Sequence, residues 1–190
     1  MARTSGHIRM NIQSIDSLWQ PLPVCADARL RSWLTERGSL TRRIEDQCRD
    51  FGVDLLSQTI DIAGRDECPV LGVRSRARCV VREVSLNCAR RPVVFAHSVV
   101  ATRALKGPWR MLATLGARPL GAALFADPQV RRYELRYRML NRGHELYRRA
   151  CALLARPPVR LWARRSLFEL HGSRLLVTEV FLPDILALTP

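Results

Sequence analysis

Apolar residues along the chain change from a helical to an alternating period near residue 53. Residues 1–17 are polar and aperiodic and predict a loose lead-in. Behind Asp27, a helix-capping residue type, Leu30, Trp33 and Leu34 make one apolar stripe, and Gly38 stops the segment. After Ser39, a second cap, Leu40, Ile44, Cys48 and Phe51 recur at helical spacing, and Gly52 ends the run. The backbone N–H of Leu40 then falls among the free donors at a helix start, where an anion or acceptor can bind.

From residue 53 onward apolar and polar positions alternate. "VDLLSQTID", "ARCVVREVSL" and "RPVVFAHSVVA" read as strands, the last two joined by the turn "NCARRP". "RALKGPWRMLATLG" predicts a short helix after Gly107-Pro108, and "GARPLGAALF" a punctuated loop leading into another helical turn. Residues 129–156 predict an extended basic helix. In it Tyr133, Tyr137, Leu140, His144, Tyr147, Cys151 and Leu154 step by four and three along one face, before Pro157-Pro158 break it. "RLWARRSLFELHGSRLLVTEVFLP" gives two closing strands joined at His171-Gly172. Helices first, hairpins in the middle and a hairpin last predict a single α+β domain over 18–190, built on an antiparallel sheet.

A chain of 190 residues suits one domain, and 47% hydrophobic content can build its core. No run of about 18 uncharged apolar residues occurs, so no membrane-spanning helix is expected. The N-terminus lacks an apolar h-region, so no secretory signal is expected and the cytoplasm is the default location. The net charge is +14, and Lys106 is the only lysine. Arginine suits planar oxyanions, which admits nucleic acid, an acidic membrane surface or a small anionic substrate. Nucleic acid is disfavoured, because the chain has no zinc site, basic-zipper heptad or RNP-like aromatic strand. None of the six cysteines forms a C-x-x-C pair, which argues against zinc. Without a signal they are expected to be reduced, inert and partly buried.

Two charges stand on apolar faces. In the last strand Leu175, Val177, Glu179 and Phe181 share one side and Leu176, Thr178, Val180 and Leu182 the other, so Glu179 has no polar side to escape to. Arg82 lies with Val80, Val84 and Leu86, while Glu83 points the other way, toward a cross-strand partner on a solvent face. Either Arg82 and Glu179 make a buried ion pair, or they line a pocket from opposite ends. In a pocket, Arg82 would clamp a ligand carboxylate and Glu179 would hold a hydroxyl or exchange its proton. His97, among Val93, Phe95 and Val99, reads as a hydrogen-bonded core residue.

In this order, "LRSWLTERGSLTRRIE", "VVREVSLNCARRPVVFAHSVV", "LGARPLGAALF", "LWARRS" and "LLVTEVFLP" resemble the chorismate pyruvate-lyases, over most of residues 25–183. The resemblance implies an antiparallel sheet with helices packed on it, and helical flaps over an internal ligand site. It implies that chorismate is split into 4-hydroxybenzoate and pyruvate without metal or cofactor, as an early step toward ubiquinone, by a protein expected to be a monomer. The family's binding arginine falls on Arg82 and its binding glutamate on Glu179. Two main-chain contacts fall on Leu40 and Leu120. A related fold serves as the effector-sensing domain of some transcription regulators, which makes a non-catalytic aromatic-acid binder the alternative. Residues 131–165 depart from the family: the stretch is longer and holds eleven arginines against Glu134 and Glu145. It is either a solvated surface or a weak contact for acidic lipid or a membrane-bound downstream enzyme.

Overall fold

The computed structural model describes residues 18–188; the lead-in expected at 1–17 lies outside them. Helices α1 (Ala28–Leu34) and α2 (Leu40–Gln47) come first. Then follow β1 (Phe51–Ile62), the short α3 (Cys68–Leu71), β2 (Arg78–Cys88) and β3 (Arg91–Ala101). After α4 (Leu120–Ala126) come β4 (Arg131–Arg132), β5 (Arg136–Leu140), α5 (Glu145–Cys151), β6 (Leu161–Leu170) and β7 (Ser173–Phe181). The fold is α+β, as expected. Seven strands make one antiparallel sheet in the order β1-β2-β3-β7-β6-β4, with β5 also pairing with β6.

Local chemistry accounts for the ends of these elements. The side chain of Asp27 accepts the Leu30 N–H and that of Ser39 the Arg42 N–H, so both predicted caps are formed. Ala89 and Arg90 between β2 and β3, and His171 and Gly172 between β6 and β7, all have positive φ. Two such residues in a row twist a two-residue hairpin in the sense of its strands.

The sheet is covered on both faces, which explains why β2 and β3 are buried along nearly their whole length. Trp33, Leu34, Leu40 and Ile44 pack on Val84, Leu86, Val94 and Phe181 on one face, beside a second cluster of Val80, Val100, Trp109, Leu112, Leu120, Leu124 and Leu175. On the back, α5 packs through Leu146, Tyr147 and Ala150 onto Phe95, Ala163 and Val180, and α3 packs through Cys68 and Leu71 onto Val81, Val99 and Leu176.

Several expectations are corrected. Residues 129–156 are not one basic helix but β4, β5, a turn and α5. Arg136–Leu140 pair with Leu161–Arg165, and hydrogen bonds to an available strand outweigh a helical period that the local sequence satisfies equally well. Gly143 and the Asn141 side chain, which accepts the Gly143 N–H, form the turn before the His144 cap. The basic residues are not all at the surface either, since Arg164 and Arg165 are buried. Two 3-10 segments, Thr102–Lys106 and Arg110–Thr114, replace the helix expected around Gly107-Pro108. Cys48 and Cys88 are not reduced thiols: they form a disulfide across 40 residues, tying the end of α2 to the end of β2.

Glu83 does not face solvent. It is buried and accepts hydrogen bonds from Arg149 at 2.7 Å and from His97 Nδ1 at 2.9 Å, while His97 Nε2 lies 3.1 Å from Glu67. Burial works against a charge on His97, but hydrogen bonds to Glu67 and Glu83 more than offset it and raise its pKa to about 9. As expected, His97 is a hydrogen-bonded core residue, and it joins α3 and α5 to the back of the sheet.

Candidate active site

The front face of the sheet carries two cross-strand rows. Arg82 on β2 pairs with Ser98 on β3, Ser98 with Val177 on β7, and Val177 with Ser166 on β6. The next row runs Val84, Ala96, Glu179 and Arg164 over the same strands. Ser98, Ala96 and Ser166 in these rows are small, and the sheet leaves space above them where larger residues would fill the core. That space is a cavity of about 580 Å³ between atoms, counting its mouth. Leu40, Thr41, Leu120, Leu124 and Phe125 of α2 and α4 line it from above. The two helix starts approach closely at Gly121, where an added Cβ would stand 2.9 Å from Ser39 Oγ and 3.3 Å from Thr41 Oγ1.

Arg82, Glu179, Leu40 and Leu120, the four residues singled out from the sequence, all line this one cavity. Arg82 is 3% exposed. Its Nη2 donates to the carbonyls of Gly116 (2.8 Å) and Arg118 (3.0 Å), which pins the loop leading into α4. Its Nε is buried with no acceptor among the described residues. Burial lowers its pKa from the usual arginine value, and among the described residues no carboxylate stands within ion-pair distance to oppose that. A buried guanidinium with an unused donor is poised for an anion. Leu40 and Leu120 are the first residues of α2 and α4, so neither N–H has an acceptor within its own helix.

The direct Arg82–Glu179 ion pair is not formed. Arg164 Nε, 2.5 Å away, holds one oxygen of Glu179 instead. Arg164 is 1% exposed, and its Nη1 donates to the carbonyls of Trp33, Leu34 and Glu36. It thereby caps the C-terminal end of α1 with a cation, the favourable sign for that end. Arg132, from β4, also lines the cavity. Its Nε donates to Ser166 Oγ at 2.8 Å, its Nη1 to the carbonyl of Arg37, and the guanidinium lies over the rings of Phe125 and Phe168.

The sequence reading singles out neither Arg132 nor Arg164. For Arg164 the signal was present. Alternation through "LWARRSLF" puts Trp162, Arg164, Ser166 and Phe168 on one side, the pattern that exposed Glu179. Arg132 gave none, because its segment carries a helical period.

The family model for chorismate lyase matches residues 16–188. The chain is 48% identical to a protein of Nitrosomonas europaea named probable chorismate pyruvate-lyase, over 88% of this chain and 94% of that one. It is also 48% identical to one of the same name from Nitrosospira multiformis, over 90% and 95%. Among solved structures, the effector domain of PhnF from Mycobacterium smegmatis superposes with a TM-score of 0.54 at 15% identity, over 77% of this chain and 90% of that domain, a likeness of fold alone. With one family model covering nearly every described residue and near-half identity to full-length relatives, the chain belongs to the chorismate lyase family.

Proposed function

We propose that this protein is a chorismate pyruvate-lyase that converts chorismate into 4-hydroxybenzoate and pyruvate. The observation that carries the proposal is Arg82, a buried guanidinium with an unused donor in a cavity that also holds Glu179. That layout matches an aromatic acid with a carboxylate at one end and a hydroxyl at the other. Arg82 and the Leu40 N–H take the ring carboxylate. Glu179, steadied by Arg164, and the Leu120 backbone take the ring hydroxyl.

Three bonding changes complete the reaction. The C–H bond at the hydroxyl-bearing ring carbon breaks, and its electron pair forms the new ring double bond. The neighbouring C–O bond of the enolpyruvyl ether breaks, with its pair leaving on oxygen. The released proton and the enolpyruvate together make pyruvate. Aromatisation supplies the driving force, so the site has to fix one pose and stabilise charge on the departing oxygen. The surplus of positive charge attracts the dianionic substrate.

The family resemblance adds a cytoplasmic monomer whose product enters ubiquinone synthesis. No described helix is long and apolar enough to cross a membrane. The competing function is a non-catalytic sensor of aromatic acids, built on a fold that the effector domain of PhnF shares. Purified protein mixed with chorismate, without added metal, separates the two. Equimolar 4-hydroxybenzoate and pyruvate are expected, and folded protein that binds 4-hydroxybenzoate without turnover would establish the sensor.

A further inference from the structure

We propose that Arg132 binds the carboxylate of the departing enolpyruvyl group and stabilises the charge that develops as its C–O bond breaks. The assignment rests on chorismate being the substrate. Chorismate carries two carboxylates, whereas the contacts above account for one carboxylate and one hydroxyl. A second cation at the other end of the cavity is therefore required by charge.

Three arginines line the cavity: Arg82, Arg132 and Arg164. Arg164 is already neutralised by Glu179 through its Nε, and its Nη1 is held by three carbonyls at the end of α1. Arg82 is assigned to the ring carboxylate. Arg132 faces no carboxylate within ion-pair distance among the described residues. Its bonded partners are neutral: Ser166 Oγ and the carbonyls of Arg37 and Gly38. Its Nη2 donates to none of them, which leaves one edge of the guanidinium for a ligand.

Position agrees with charge. Ser166, which holds Arg132, is separated from Arg82 by β3 and β7 within one row. Three strand spacings put the backbones at the two ends about 14 Å apart. Glu179 belongs to β7 and Arg164 to β6, so the proposed hydroxyl contact lies toward the Arg132 end. In chorismate the ether sits on the ring carbon next to the hydroxyl-bearing carbon. A substrate with its ring carboxylate on Arg82 and its hydroxyl at Glu179 thus projects the enolpyruvyl group toward Arg132. The rings of Phe125 and Phe168 flank this guanidinium and limit its hydration, which strengthens its action on charge that appears beside it. Through its bonds to the Arg37 and Gly38 carbonyls, Arg132 also fastens the loop before α2, so the test has to separate binding of the leaving group from closure of the flap.

The product provides that separation, because 4-hydroxybenzoate lacks the enolpyruvyl carboxylate. Turnover of chorismate and calorimetric affinity for 4-hydroxybenzoate are measured for the wild type, Arg132→Gln, Arg132→Lys and Arg82→Gln. Arg132→Gln is expected to lower kcat/KM by about 100-fold or more while leaving 4-hydroxybenzoate affinity within about threefold. Arg132→Lys, which keeps the charge, is expected to recover at least about tenfold of that loss. Arg82→Gln is expected to weaken product affinity and turnover together. The assignment is overturned if Arg132→Gln keeps kcat/KM within about threefold, or if its product affinity falls in step with turnover. Should Arg132→Gln fail to fold, a lysine variant whose product affinity and turnover fall equally would overturn it as well. No turnover by wild-type protein that binds 4-hydroxybenzoate would instead remove the reaction, and this assignment with it.

Discussion

Replacing Arg164 with methionine tests how the site is tied to its flaps. The substitution keeps much of the side-chain bulk and removes every donor. Glu179 loses a charged partner at 2.5 Å, and the carbonyls of Leu34 (3.2 Å) and Glu36 (2.7 Å) lose theirs. Breaking a buried pair from one side costs about 3–5 kcal/mol, because the other charge stays behind without compensation. The Glu179 side chain is 17% exposed and recovers some hydration, which places the cost near the lower end, about 3 kcal/mol. In a domain of this size that corresponds to a fall of about 6–12 °C in Tm. Thermal and urea unfolding followed by circular dichroism measure it. Glu179→Gln in the Arg164→Met background removes the stranded charge, so the double variant should be more stable than the sum of the single losses by about 1–3 kcal/mol. An Arg164→Met protein within about 1 kcal/mol of wild type, or strictly additive losses, would refute the reasoning.

Further outcomes follow from other parts of the molecule. Gly121→Ala should lower stability by about 1–3 kcal/mol and raise KM for chorismate, since its Cβ would press on Ser39 Oγ and part α2 from α4; unchanged kinetics and unfolding midpoint would contradict this. His97 has a folded-state pKa of about 9 against an ordinary 6.5, so its contribution is fully present below pH 6.5 and is lost as pH rises through about 9. The difference amounts to about 3 kcal/mol, and His97→Gln should flatten the dependence of unfolding free energy on pH over that window. Protein denatured without reductant should titrate four thiols, those of Cys25, Cys68, Cys79 and Cys151, and six after reduction; reduction should cost about 2–4 kcal/mol of stability in the wild type and nothing in Cys48→Ser/Cys88→Ser. If exposed arginines of 131–165 dock to acidic lipid, the protein should pellet with anionic vesicles at low salt and leave them at high salt; no pelleting at low salt ends that proposal.

The sequence alone determined the helix caps, the central and closing hairpins, and the side of each strand on which Arg82 and Glu179 stand. These depend on properties local to a short segment: a side chain bonding to the backbone three residues on, a strand period of two, and residue pairs that can turn back with positive φ. That was enough to place both charges on apolar faces and to mark the Leu40 N–H as a free donor. Tertiary structure decided the rest. Tyr137 to Leu140 satisfy a helical period and a strand period alike, and the open side of β6 selected the strand, since strand hydrogen bonds depend on a partner far along the chain. Arg132, on β4, is brought to the cavity by its own pairing with β6. The pairing of Glu179 with Arg164 rather than Arg82, the burial of Glu83 against His97 and the joining of Cys48 to Cys88 are likewise long-range. Each unites segments whose distance in space is set by the packed sheet, a quantity that local periodicity does not contain.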